Sequence, residues 1–126
     1  MNKSFFDMMK EADTEETTKV VVSKRYKEIP FEIRPLKNDE YFNGKKKFTK
    51  GADFDGRGFM YYIIKECTVT PNFKDANEIS KAKVVTPEQM IDVYLNPGEI
   101  DRLSTKIVEF SGFGKLDEVE AEIENF

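Results

Sequence analysis

The sequence has no histidine, no tryptophan and a single cysteine, Cys67, among its 126 residues. Without histidine there is no imidazole to activate a serine or cysteine, to move protons near neutral pH, or to complete most zinc sites. One cysteine cannot form an intramolecular disulfide, so a reducing compartment is expected. No apolar run reaches the ~18 residues of a membrane span. The opening stretch MNKSFFDMMKEADTEE turns acidic after a short apolar patch, unlike a secretory leader. These absences point away from an enzyme, a cofactor, a metal or a membrane.

At 14.6 kDa the chain suits one domain, which can bury roughly two-thirds of its unfolded surface without a disulfide or metal staple. The net charge of −4 is unevenly spread. Residues 24–50 carry nine bases and four acids, whereas residues 51–126 carry eight bases and fifteen acids. The run Lys45-Lys46-Lys47-Phe48-Thr49-Lys50 sets bases beside an aromatic, a pattern that can contact a nucleic-acid backbone. A solvated helix end, where lysines suit the dipole, fits better in a chain that is acidic overall. No nucleic-acid partner is therefore expected.

Periodicity predicts a mainly α fold with a small N-terminal antiparallel β-hairpin (α+β), in a single compact helical domain. Residues 1–18 are expected to form a flexible segment, with a short helix after Ser4. Residues 19–126 are expected to form the domain. Val20, Val22 and Tyr26 recur at period two, and Phe31-Glu32-Ile33-Arg34 alternates, with Lys27-Glu28-Ile29-Pro30 as the turn. This predicts a hairpin over 19–36, with Pro35 ending its second strand or restricting it to an edge. The helical part then covers 38–126. Asn38 is the expected cap of its first helix, Tyr41 a candidate inward residue, Gly44 a weak point and Gly51 a stop.

Asp53 or Asp55 caps a helix carrying Phe59, Met60, Ile63, Ile64 and Cys67 on one face. Thr70-Pro71-Asn72 ends it, and residues 74–81 add a turn of helix. Thr86-Pro87-Glu88-Gln89 and Asn96-Pro97-Gly98-Glu99 are helix starts with proline at the first helical position. Met90, Ile91, Tyr94 and Leu95 form the inward face after the first. Ile100, Leu103, Ile107 and Phe110 do so after the second. Phe59, Ile63, Ile64, Cys67, Ile100, Leu103 and Ile107 form the expected core. Beyond the break at Ser111-Gly112-Phe113-Gly114, Leu116, Val119, Ile123 and Phe126 predict an amphipathic helix with an acidic outer face.

Asp53-Phe54-Asp55-Gly56 invites a calcium reading, but an EF-hand loop needs glutamate at its twelfth position. That position falls on Tyr62 or Ile64 in the two available registers. Cys67, on an apolar helix face with no histidine near it, reads as an inert buried thiol. Large apolar side chains accumulate late in the chain. Phe110, Phe113, Leu116, Val119, Ile123 and Phe126 are therefore the candidate partner surface. The alternative is that the last helix packs back on the domain.

The order of these signals resembles the XkdN-like tail assembly chaperones of contractile-tailed phages and phage-like particles. Three stretches carry it: Val22–Tyr26 with Pro30–Leu36; Cys67–Asp75; and Thr86–Met90, Leu95–Ile100 and Phe110–Phe113. The resemblance implies a non-catalytic protein of the bacterial host cytoplasm, without cofactor, active in virion morphogenesis of a phage or prophage. Its expected partners are the tape measure protein, kept soluble before the tail tube polymerises, and the tail tube protein, with self-association also open. The alternative is a structural component that stays in the tail or baseplate.

Overall fold

The computed structural model describes residues 3–12 and 17–113. Its centre is helix α3, Gly56–Cys67, and the other elements are most easily placed around it. Asp55 caps this helix, its carboxylate accepting from the Gly58 N–H at 2.9 Å. Tyr61, Ile63, Ile64 and Cys67 are its buried face. Helix α5, Pro87–Tyr94, opens on a reciprocal pair: Thr86 Oγ1 accepts from the Gln89 N–H, and Gln89 Oε1 from the Thr86 N–H. Asn96 and Glu99 repeat that pairing at the start of α6, Pro97–Phe110. Helices α5 and α6 pack on α3. Ile64, Cys67, Met90, Ile91, Leu95, Ile100, Leu103 and Ile107 join Val22, Phe31, Ile33 and Phe73 in one core.

Six of the seven expected core residues are buried, and Phe59 is the exception. It is half-buried because it faces the rings of Tyr41, Phe48, Phe54 and Tyr62 rather than α6's inner row. Tyr94, expected inward, is 46% exposed. Its carbonyl carries the contact instead, accepting from Arg25 and from the Tyr26 hydroxyl.

The N-terminal hairpin is present, with shorter strands than the alternation predicts. Strand β1, Thr18–Val20, pairs antiparallel with β2, Phe31–Ile33, placing Val20 opposite Phe31. Residues 21–30 form the connection. They leave the ladder because Val22 is drawn fully into the core and Tyr26 turns to α5. Strand β2 is central, not an edge, and Pro35 lies past its end. Its other neighbour is a strand directly after α3, Thr68–Thr70, where the sequence reads only as a helix stop.

Helix α2, Asn38–Lys47, starts one residue before expected. Asn38 is already helical, and the Lys37 N–H is satisfied by Glu40 at 2.9 Å. Gly51 is the turn of a short ribbon rather than a stop. Its φ of 61° lets β3, Thr49–Lys50, fold back on β4, Asp53–Phe54. The strand after α3 is β5. Between it and α5 lies α4, Ala76–Lys81, capped by Asp75. Near the N-terminus α1, Phe5–Ala12, opens with Ser4 and Asp7 exchanging hydrogen bonds, and it buries none of its residues.

Candidate partner-binding surface

Gly44 brings α2 unusually close to α3. A Cβ there would stand 2.6 Å from a Tyr62 ring carbon and 2.8 Å from a Phe59 ring carbon. Around this contact the rings of Tyr41, Phe48, Phe59 and Tyr62 pack edge-on or tilted. Phe54, from β4, adds its ring 5.5 Å from Phe59. Phe113, just past α6, lays its ring 4.8 Å from Tyr41. Lys45 stands over the cluster, its ammonium 4.2 Å from the Phe54 ring centre and 5.1 Å from that of Phe59. The layer is open to solvent: Phe42 is 67% exposed, Phe54 43% and Phe113 44%.

Beside it runs a groove of about 440 Å³ between α3 and α6. Phe59, Met60 and Ile63 form one wall, Ser104, Thr105 and Val108 the other, and Phe113 closes one end. Asp101 and Glu109 are its charged lining residues, Glu109 with the Lys106 ammonium 3.7 Å away. A second apolar groove, of about 370 Å³, lies where residues 26–31 meet β5 and α5, lined by Tyr26, Ile29, Phe73, Met90 and Tyr94.

Partly buried polar contacts brace these elements. Glu99 is 1% exposed, and both its oxygens are used, accepting from Arg25, Ser23 and the Asn96 N–H. The Arg25 guanidinium holds its carboxyl down at about 2, against the opposing effect of burial. Arg102 donates to the Val22 carbonyl, tying the same loop to α6. Arg34 grips Glu40 through two bonds of 2.8 and 2.7 Å, which lowers the Glu40 pKa. The Tyr61 hydroxyl donates to Asp92 and joins α3 to α5. Burial pushes the Cys67 thiol up to about 12.

Phe110 is half-buried and packs against the core, whereas Phe113 sits at the meeting point of groove and aromatic layer. Leu116, Val119, Ile123 and Phe126 lie outside the described residues. Sequence reasoning placed Lys45 on a solvated helix end but missed Phe42, Phe54 and Val108 as surface features. For the two phenylalanines the signal was the high phenylalanine count, eleven in the chain, which exceeds what so small a core takes in. Of the two aspartates of the calcium-like run, Asp55 caps α3 with its carboxylate, and Asp53 lies in β4 with its backbone opposite that of Lys50. Among the described residues no three His, Cys, Asp or Glu side chains gather as a metal site.

Apolar grooves bordered by exposed rings mark interaction surfaces. The chain belongs to the phage XkdN-like tail assembly chaperone family, whose model matches residues 3–125. It is also similar to the protein yqbn, known from a crystal structure, with 27% identity and a TM-score of 0.69. That likeness covers 90% of this chain and 98% of the other. No curated protein matches the sequence.

Proposed function

We propose that this chain binds the tape measure protein in the host cytoplasm and keeps it soluble until the tail tube polymerises around it, without catalysing a reaction. Family membership supports the chaperone role. The observation that carries the specific reading is the α3–α6 groove with Phe113 at its end. A long helical polypeptide with bare apolar positions aggregates, and an apolar groove can cover such positions by helix-in-groove packing. Asp101 and Glu109 favour a segment whose apolar stripe is flanked by lysine or arginine. Phe113, with the apolar stripe Leu116, Val119, Ile123 and Phe126 after it, extends the contact beyond the groove. Phe110 acts from beneath, supporting the end of α6.

Co-expression tests this. The tape measure protein should be soluble and co-purify with the wild-type chain. Thr105→Arg, which puts a positive charge in the groove from an exposed position and against a segment flanked by lysine or arginine, should lose both effects while melting normally. A tape measure protein equally soluble without this chain would overturn the reading.

A further inference from the structure

The aromatic layer on α2 differs from the neighbouring groove in the sign of its charge. Among the described residues, Lys45, Lys46, Lys47 and Lys50 have no carboxylate within ion-pair distance. Lys45 lies instead over three rings, those of Phe54, Phe59 and Tyr41. A surface of exposed phenylalanines around an unpaired ammonium fits an occupant that is apolar on one side and acidic on the other.

Residues 114–126 have that composition. Leu116, Val119, Ile123 and Phe126 are spaced 3, 4 and 3 apart, and five acids, Asp117, Glu118, Glu120, Glu122 and Glu124, stand against one base, Lys115. The segment also starts in the right place. Phe113 immediately precedes it and already rests on Tyr41, whose ring is 5.7 Å from the Lys45 ammonium. Thirteen residues span roughly 20 Å as a helix, enough to cross the layer from Tyr41 to Phe54. The α3–α6 groove is the poorer seat, because Asp101, which has no cation within ion-pair distance among the described residues, would face the tail's carboxylates, and Glu109 is already paired with Lys106 at 3.7 Å.

We propose that residues 114–126 dock on the layer of Tyr41, Phe42, Lys45 and Phe54 of their own chain, with the apolar stripe on the rings and the glutamates toward the lysines. The docked tail shields its own apolar stripe while no partner is bound. The inference rests on the proposed function only for its consequence: Phe59 and Phe113 belong to both the layer and the groove, so a helix seated in the groove competes with the tail for them.

A nitroxide on Asn125→Cys tests the docking in the full chain with no partner present. Cys67 is buried and does not compete for the label. The amides of residues 41–54 should lose intensity several-fold. The loss should be relieved by the four changes Glu118→Gln, Glu120→Gln, Glu122→Gln and Glu124→Gln together, by Lys45→Glu, and by about 1 M salt, where the screening length falls to about 3 Å. Full intensity at residues 41–54 would overturn the proposal. So would a loss indifferent to all three treatments. Mixing spin-labelled chain with isotope-labelled wild type separates the second possible occupant: equal broadening in the mixture would assign the face to another copy and overturn docking within one chain. The measurement contains no tape measure protein, so its failure leaves the binding role standing.

Discussion

A buried carboxylate decides how the loop over residues 21–30 is held. Glu99 titrates at about 2 in the fold, against an ordinary value of 4.5, chiefly because Arg25 binds its charged form. The folded state therefore prefers the carboxylate. Its contribution to stability is complete above pH 4.5 and is lost as the pH falls from there through about 2. Thermal melts followed by circular dichroism should show the wild type losing stability steeply between about pH 5 and pH 2, with Glu99→Gln less stable at neutral pH and flatter on the acid side. Gly44 makes a different point at the same scale. Alanine is the better helix former by about 1 kcal/mol, yet its Cβ would strike Tyr62 and Phe59. Gly44→Ala should destabilise by ~1–3 kcal/mol in urea titrations, the usual cost of overpacking.

Among the described helices, α6 buries the most residues, Glu99, Ile100, Leu103, Ser104 and Ile107. Leu103 is fully buried at the centre of its inner row, between Ile100 and Ile107. Leu103→Ala should cost on the order of 2–5 kcal/mol by denaturant unfolding, since both the transfer of the side chain and the cavity left behind count. The neighbouring residue on the outer face, Arg102, reaches back to Val22 and couples this helix to the sheet end of the molecule. Strand β5 is coupled just as directly. The Arg34 N–H donates to the Cys67 carbonyl at 2.9 Å, so the end of α3 and the start of β5 share the central strand as a partner.

For the whole molecule, charge is segregated along with shape. The lysine-rich aromatic layer and the acid-lined groove meet at Phe59 and Phe113, which gives one small domain two adjoining surfaces of opposite preference. On the proposed role the chain leaves the tape measure protein once the tube forms, whereas a structural component would stay. Mass spectrometry of purified particles should accordingly find the tube and tape measure proteins and not this chain. Finding it in stoichiometric amount would instead support a tail or baseplate component.

Helices α3, α5 and α6 were legible from residues alone, because caps and apolar rows act within a few residues of each other: Asp55 on Gly58, Thr86 with Gln89, Asn96 with Glu99. The hairpin was legible in its pairing but not in its length, since only the packed core shows that Val22 is worth more buried than kept in a ladder. Strand β5 could not be read locally. Thr68-Val69-Thr70 is a strand because β2, paired with β1 on one side, offers it an open edge on the other, and β2 lies more than thirty residues away in the chain. The candidate site divides in the same way. The sequence alone identified Phe113 as a late, large apolar residue. Joining it to Tyr41, Lys45, Phe54 and Phe59 needed the close approach of α2 and α3 at Gly44, a contact between residues far apart in the chain that no local pattern encodes.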